Sequence, residues 1–392
     1  MPFKHPTFSL GVEEEYYLVD TETRDLAADT PSALLRELEE RLGGRFSTEY
    51  MGSQIEVCTS VCQNLPEART ELLRLRQSVA AIASPYGLAP IAASTHPFGR
   101  WNRQRHRDTP RYNAIAQCFQ GVGCRMVVNG LHIHVGLEND AVRIDVMNRI
   151  RPYLPVLLAL TTSSPFWQGR NTGLKSFRTA INDATPRKGI PEHFESWADY
   201  QAVAGQLISN GLIEDSTEIW WDIRPSVRYP TLELRISDVC PLLDDGICVA
   251  ALFRCLCRYL YRTRRSRRSR AESSLLLINE NRWRAERYGM ESGLIHPGTG
   301  RVTDFASLIE ELIETVRADA VFFGCEDEVA HARRIVARGS SADRQVALYR
   351  RLRSSRHSHK AALTGVVDKL IGETIATARG RGVISAGASA AF

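Results

Sequence analysis

The 392-residue sequence lacks the features that mark several large classes of protein. It has no run of about 18 apolar residues, so we expect no membrane span. Three consecutive glutamates come before any apolar stretch, so we also expect no secretory signal. The nine cysteines are scattered, and their spacings fit neither a disulfide framework nor a Cys-x2-Cys zinc pair. These absences predict a cytoplasmic protein with reduced thiols.

Lysine is also scarce, because only five of the 50 basic residues are lysine and the rest are arginine. This bias has two interpretations: the base composition of the gene, or an active site that binds phosphate or carboxylate through bidentate guanidinium groups. The net charge of +5 is modest, and we expect no nucleic-acid partner.

Signatures of common enzyme classes are missing as well. The sequence contains neither His-Glu-x-x-His nor Gly-x-Ser-x-Gly. Residues 169–176 resemble a phosphate-binding P-loop only with the wrong spacing, and Gly121-Val-Gly123 lacks the third glycine of a dinucleotide fingerprint.

What is present is a composition typical of a folded globular protein, with 43% hydrophobic and 24% charged residues. Strand patterns are concentrated in residues 1–240 and helical patterns in 241–380, followed by a small-residue tail at 381–392. The strands do not alternate strictly with helices. This order predicts an α+β protein, with a largely antiparallel sheet and helices packed on one face. We treat residues 1–392 as a single catalytic domain.

Residue periodicity places the individual elements. Alternating and β-branched patterns predict strands over 8–20, 46–59, 88–95 and 126–138, and two more within 216–239. Patterns of helical period predict helices over 31–43, 65–85, 140–163 and 197–212.

The first candidate site is the run Glu13-Glu14-Glu15 in the first strand. Side chains alternate along a strand, so Glu13 and Glu15 share one face while Glu14 points to the other. Two carboxylates this close repel each other unless a cation lies between them. The alternative is an exposed face of an edge strand.

The second candidate site is in the strand over 46–59. Glu56 lies between Ile55 and Val57, where a partly buried strand normally carries an apolar residue. A buried carboxylate needs a partner, either a metal ion or a basic side chain. Glu49, seven residues earlier, is a further candidate, although each glutamate could also pair with an arginine.

Two later strands carry polar residues at alternate positions. His132 and His134 share one face of a strand, opposite its aliphatic residues, which is moderate support for contact with metal or phosphate. Glu233 and Arg235 share a face in the same way, although for this strand in isolation an internal ion pair is the stronger interpretation.

Basic residues outside these strands add positive charge suited to phosphates. Lys175 and Arg178 lie in a loop rich in glycine and serine, and Arg224 follows two tryptophans. Carboxylates, histidine and arginines on facing strands suit Mg²⁺ or Mn²⁺ bound to nucleotide phosphates. We expect Arg235 and Lys175 to contact the nucleotide, and Arg235, Arg178 and Arg224 to stabilise the transferred phosphoryl group.

Six motifs occur in a recognisable order: GVEEEYYLVD, FSTEYMGSQIEVCT, STHPFGRW, NGLHIHVG, WWDIRPS and TLELRISD. Over about residues 8–370 the sequence resembles the second type of glutamate–cysteine ligase, the bacterial carboxylate–amine ligase family. The resemblance implies a sheet shaped like a funnel, similar to glutamine synthetase and guanido kinases, that holds ATP and divalent metals. It also implies activation of the γ-carboxylate of L-glutamate as an acyl phosphate, followed by attack of L-cysteine or another amine.

The resemblance also assigns roles to single residues. It places the late Glu-x-Arg pair on Glu233 and Arg235. The metal or phosphate ligands that we expect are Glu13, Glu15, Glu49, Glu56, His132 and Glu233.

Three alternatives stay open. One is a metal-dependent hydrolase, and another is a guanido-type phosphotransferase on the same scaffold. The third is a nucleic-acid-binding protein, because six arginines lie between 262 and 270, although an exposed helix end explains that cluster more simply. The helical second half of the chain is compatible with a homodimer.

Overall fold

The structure is a computed structural model and describes residues 5–264 and 274–376. Within this part of the chain, strands and helices alternate irregularly. The strands are Leu10–Asp20 (β1), Phe46–Thr48 (β2), Gln54–Cys58 (β3), Leu88–Ile91 (β4), Leu131–Gly136 (β5), Phe166–Trp167 (β6), Arg170–Asn171 (β7), Ile223–Pro225 (β8), Thr231–Leu234 (β9), Leu294–Ile295 (β10) and Val302–Thr303 (β11).

Most of the described chain outside these strands is helical. The helices are Ser32–Leu42 (α1), Leu65–Ala83 (α2), Pro110–Gly123 (α3), Asp140–Ile150 (α4), Leu154–Thr161 (α5), Phe177–Asn182 (α6), Trp197–Ser209 (α7), Leu243–Thr263 (α8), Leu275–Tyr288 (α9), Phe305–Phe323 (α10), Glu326–Arg338 (α11), Ser341–Ser354 (α12) and His359–Ile375 (α13). None of these helices is long and apolar enough to cross a membrane.

Seven strands form one antiparallel sheet in the order β2-β3-β1-β5-β9-β8, and β4 pairs with the second half of β1. The long strand β1 is central because it pairs with three others. The register sets Glu15 opposite Glu56, Glu13 opposite His132, and His134 opposite Glu233. Polar residues of four adjacent strands therefore lie side by side on one face.

The other face of the sheet is apolar and is covered by α2 and α8. Leu131, Ile133 and Val135 of β5 are completely buried there, between the histidines that point the other way. Each such side chain stabilises the fold by about 1.5–3 kcal/mol. Since residues of α8, α10 and α11 belong to the same core cluster, the strand-rich and helix-rich parts of the chain share one core.

Glu14 is an exception on this apolar face. Its carboxylate accepts hydrogen bonds from Arg76 of α2, at 2.6 Å from Nη2 and 2.8 Å from Nε, and from the hydroxyl of Tyr16. Arg76 also donates to the carbonyls of Cys240 and Pro241. This fully buried ion pair ties β1 to α2 and to the chain that enters α8.

The structure confirms the α+β fold with a largely antiparallel sheet, but several local features differ from the prediction. The region 46–59 is two strands joined by a turn, and Glu49 lies in the turn. The predicted helix over 140–163 is divided by a short 3₁₀ turn, Arg151–Tyr153, because Pro152 within it cannot donate the next helical hydrogen bond. Helix α3 and the hairpins β6–β7 and β10–β11 were not predicted.

Part of the polar face of the sheet is covered by a helix. Tyr17, Val19 and Ile91 pack against Val366 and other residues of α13, so a second, smaller core covers the end of β1 beyond the carboxylates. The tail at 381–392 and four of the six clustered arginines, Arg265, Arg267, Arg268 and Arg270, lie outside the described residues.

Replacing Glu14 with Gln should destabilise the fold by about 3–5 kcal/mol, because it leaves the buried guanidinium of Arg76 uncompensated. The midpoint of urea unfolding measures this loss, with exposed Glu40→Gln on α1 as the matched control. The double variant Glu14→Gln/Arg76→Met should lose less than the sum of the two single variants. Equal midpoints for Glu14→Gln and Glu40→Gln would show that the ion pair contributes nothing.

Candidate active site

The polar face of the sheet forms the floor of a cavity of about 490 Å³. Helix α3, the turn between β8 and β9, and the segment from α6 to residue 188 complete its walls. Its charged and imidazole lining residues are Glu13, Glu15, Glu49, Glu56, Arg111, His132, His134, Arg178, Lys188, Arg224, Arg228, Glu233 and Arg235.

Carboxylates and imidazoles on the floor form three overlapping groups that could each hold a cation. The first is Glu13, His134 and Glu233, the second Glu13, Glu56 and His132, and the third Glu15, Glu49 and Glu56. Within each group, one ligand atom per residue lies within 4.8 Å of the others. The structure thus brings together all six predicted metal ligands and adds His134.

Glu13 is the centre of this arrangement. Its Oε2 lies 3.2 Å from Nδ1 of His132, and its Oε1 lies 3.2 Å from Nε2 of His134. Burial alone would raise the pKa of Glu13, but the interactions with the two histidines outweigh burial and hold that pKa well below its usual range. Burial and the charge of Arg235 lower the pKa of His132.

Glu49 and Glu56 show the opposite behaviour. Burial and the charge of Glu15 raise the pKa of Glu49 to about 8. Burial and the charges of Glu13 and Glu49 raise the pKa of Glu56 well above its usual range. Ser47 donates the only side-chain hydrogen bond to Glu56 among the described residues, at 2.9 Å from Oε1. These two carboxylates therefore lack the positive charge that their ionised forms require.

The chemistry of the donors fits a hard divalent cation. Carboxylate oxygens are preferred ligands of Mg²⁺ and Mn²⁺, and imidazole is accepted by Mn²⁺. A cation among Glu15, Glu49 and Glu56 would supply the missing charge and displace protons from the last two.

Glu233 is satisfied by arginines on the other side of the floor. Arg224 donates to its carboxylate from Nε, at 2.8 Å, and from Nη2, at 3.2 Å, while Arg235 donates from Nη1. Burial would raise the pKa of Glu233, but the charges of Arg235 and Arg224 lower it far below the usual value. Together with Arg178 and Lys188, these two arginines form the basic wall of the cavity.

Arg178 is fixed on that wall by the backbone. Its Nη1 donates to the carbonyl of Ile236 at 3.1 Å and its Nη2 to that of Arg235 at 3.0 Å. A Cβ atom at Gly130 would lie 2.5 Å from Nη2 of Arg178, so only glycine fits there. The structure therefore supports the prediction that Arg178 faces the site.

The serine-rich loop before Arg178 is held by a buried carboxylate. Asp238 accepts hydrogen bonds from the backbone N–H of Ser163 and from the hydroxyls of Ser164 and Ser176, at 2.7–2.9 Å. This loop has a structural role in placing Arg178.

Lys175, in the same loop, does not reach the active-site cavity. Its Nζ donates to Asp343 at 2.5 Å and to Glu291 at 2.8 Å, in a separate cavity beside α12. The expected contact of Lys175 with the nucleotide has no support in this geometry. The error arose because loop composition alone does not indicate the direction of a side chain.

Several lining residues were missed from the sequence. Arg111 and Tyr112 come from the unpredicted helix α3, although Thr109 and Pro110 are an N-cap and first-turn signal. Lys188 lies in an irregular segment with no periodic pattern. Nothing in the local sequence connects it to the distant strands beside it.

Residues 9–368 match the profile of glutamate–cysteine ligase family 2. The chain belongs to this family. A relative from Rhodospirillum rubrum, provisionally named glutamate–cysteine ligase 2, is 51% identical over 377 residues, which is 95% of this chain and 97% of the relative. A relative from Jannaschia sp. with the same provisional name is 47% identical, covering 94% of this chain and 97% of its own length.

Solved structures share the fold at low identity. The glutamate–cysteine ligase of Francisella tularensis in complex with AMP aligns with a TM-score of 0.71 and 14% identity, covering 96% of this chain and 90% of that one. The bifunctional glutathione synthetase of Pasteurella multocida aligns with a TM-score of 0.68 and 15% identity, covering 93% and 52%.

Membership of glutamate–cysteine ligase family 2 identifies the chain as an enzyme, an ATP-dependent carboxylate–amine ligase that forms a carbon–nitrogen bond. The motifs of the sequence had already indicated this family, and the match confirms that interpretation.

The acidic floor should make the stabilising effect of Mg²⁺ depend on pH. The pKa of Glu49 is about 8 in the folded protein and 4.5 ordinarily, so the stability that Glu49 contributes is present at low pH and is lost as pH rises through this range. Mg²⁺ binds the ionised form. It should therefore raise the thermal unfolding temperature more at about pH 8 than at about pH 5.5.

Differential scanning fluorimetry with Mg²⁺ or with EDTA measures this difference. Glu286 also has a pKa raised to about 8 by burial, but it does not line the cavity, so its contribution cancels between the two conditions. The variant Glu49→Gln should weaken the pH dependence of the Mg²⁺ effect, and the part that remains should come from Glu56, whose pKa is also raised. An equal Mg²⁺ effect at both pH values in the unmodified protein would contradict the assignment of Glu49.

Proposed function

We propose that this ligase activates the γ-carboxylate of L-glutamate with ATP, as an acyl phosphate, and joins it to an amine such as L-cysteine. The observation that supports the proposal most is the acidic floor facing a basic wall across one cavity. Such a cavity suits a reaction that brings a triphosphate, a carboxylate and an amine together.

Two or three Mg²⁺ or Mn²⁺ ions would be held by the acidic floor and would neutralise charge on the phosphates of ATP. The proposed ligands are Glu13, Glu15, Glu49, Glu56, His132, His134 and Glu233. The first four come from β1, β3 and the turn before it, and the others come from β5 and β9.

The arginines have a different task, because they remain charged throughout the reaction. Arg235 is held by Glu233, and its pKa is raised by the charges of Glu233, Glu15 and Glu13 against the effect of burial. Its guanidinium would donate to the phosphoryl group as that group moves from ATP to the carboxylate. Arg178 would assist from the wall, and Arg224 would act mainly by orienting Glu233.

The chain would contribute to the second half of the reaction mainly by positioning. An acyl phosphate is already an activated acid, so an amine that reaches it deprotonated needs little help from a base.

The location of this ligase in the cell and its oligomeric state stay predictions. One is the cytoplasmic location, and the other is the homodimer, since the structure describes one chain.

The direct test is phosphate release from ATP with Mg²⁺ and L-glutamate, screened against a panel of amines with mass spectrometry of the products. The proposal expects a γ-glutamyl amide and one phosphate per amide. Turnover without any nucleotide would instead indicate a hydrolase. A phosphorylated product without an amide bond would indicate a guanido-type phosphotransferase.

Glu13→Gln and Glu56→Gln should each lower turnover by about 10²- to 10³-fold, because each residue belongs to two of the three ligand groups. Both variants should remain folded. ADP release in the presence of L-glutamate measures the effect, and exposed Glu40→Gln is the control for loss of one carboxylate. ADP release by Glu13→Gln at the rate of Glu40→Gln would contradict the proposed floor.

A further inference from the structure

Lys188 lines the active-site cavity without an anionic partner. Its Nζ lies 5.6 Å from the centre of the Trp220 ring, and within residues 5–264 and 274–376 it makes neither a hydrogen bond nor an ion pair. Most other basic residues of the cavity wall are occupied, since Arg178, Arg224 and Arg235 all donate to protein oxygens. The ring of Trp220 and the charges of Asp222 and Glu15 stabilise this partly buried ammonium group only in part, and an anion in the cavity would stabilise it further.

The backbone holds Lys188 in place. The N–H of Trp220 donates to the carbonyl of Arg187 at 3.0 Å, and the N–H of Asp222 donates to the carbonyl of Gly189 at 2.8 Å. These two bonds flank Lys188 and fix it beside the strand that leads to β8. The backbone at Lys188 is therefore held beside Trp220, and the side chain lies against the ring of this tryptophan.

The strongest charges acting on Lys188 are positive. Together with burial, the charges of Arg235 and Arg178 lower the pKa of Lys188 to about 7, and the charges of Asp222 and Glu15 oppose them more weakly. Three cationic side chains thus meet at one corner of the cavity. The guanidinium groups of the other two already donate to protein oxygens, whereas among the described residues the ammonium of Lys188 has no hydrogen-bond acceptor.

We propose that Lys188 binds a carboxylate of an amino-acid substrate, namely the carboxylate that the reaction does not activate. The inference rests on the proposed function and deepens it. The acidic floor, with its cations, accounts for the phosphates of ATP. With those cations occupied by the phosphates, a second anion would be attracted to the corner of Lys188, Arg178 and Arg235.

Two substrates could supply this carboxylate. One is the acid donor, through the α-carboxylate of L-glutamate. The other is the amine acceptor, if it is itself an amino acid such as L-cysteine. The chemistry at Lys188 is the same in both cases, and substrate analogues that lack one carboxylate separate them.

The test is Lys188→Met with two matched pairs of substrates. L-glutamate is compared with 4-aminobutanoate, which lacks the α-carboxylate, and L-cysteine is compared with cysteamine, which lacks the carboxylate of cysteine. The KM should rise about 10- to 100-fold for the carboxylate-bearing member of one pair, with little change for its analogue. Lys188→Arg should restore part of the affinity.

Arg187→Met is the matched control. Arg187 also packs on Trp220, with its guanidinium carbon 5.2 Å from the ring centre, but it donates to the carbonyl of Glu218 and does not line the cavity. Replacing Arg187 should leave the KM values of all four substrates unchanged. A fall in kcat for Lys188→Met with all KM values unchanged would overturn the inference, and so would an equal rise in KM for both members of a pair.

Calorimetry separates this inference from the proposed function. Binding of L-glutamate or L-cysteine to the protein with Mg²⁺ and a non-hydrolysable ATP analogue requires no turnover. If the unmodified protein forms no amide, the proposed function fails. Weaker binding of one of the two amino acids to Lys188→Met would still support the inference, whereas equal binding to both proteins, or no binding to either, would overturn it.

Discussion

Repulsion among five carboxylates, four on one face of a sheet and Glu49 in the turn beside it, is the constraint on which the rest of this site depends. At about 4 Å, two like charges near a protein surface repel each other by roughly 4 kcal/mol. Four of them are relieved in three ways. Two histidines stabilise the ionised form of Glu13, and two arginines stabilise that of Glu233. Glu49 and Glu56 hold protons, which a bound cation would replace. We therefore propose that all five carboxylates ionise together only when divalent cations are bound.

The apolar face of the same strands is what permits this accumulation of charge. Strand residues alternate, so burial of Leu131, Ile133 and Val135 against α2 and α8 forces His132 and His134 to the opposite side. A slip of one residue in register would bury the charged set and expose the apolar set. Glu14 breaks the pattern only because Arg76 neutralises it inside the core. The hydrophobic core thus determines which side chains meet at the cavity.

Much of the site could be predicted because it is built on strands. Period-two alternation was enough to place Glu13 and Glu15 together, and the order of the motifs indicated the family. Glu49 was found for a weaker reason, since it lies in a turn and its direction follows from contacts that the sequence does not show. Lys175 was misplaced and Lys188 was missed for the same cause. Both lie in irregular segments, where only distant partners such as Asp343 and Trp220 determine where a side chain points.

The most direct measurement of the central claim is the number of Mn²⁺ ions bound per chain, determined by electron paramagnetic resonance with a non-hydrolysable ATP analogue present. The account predicts two or three ions in the unmodified protein. It predicts fewer in Glu13→Gln, because Glu13 belongs to two of the three ligand groups. The same number and affinity of ions in Glu13→Gln as in the unmodified protein would contradict it.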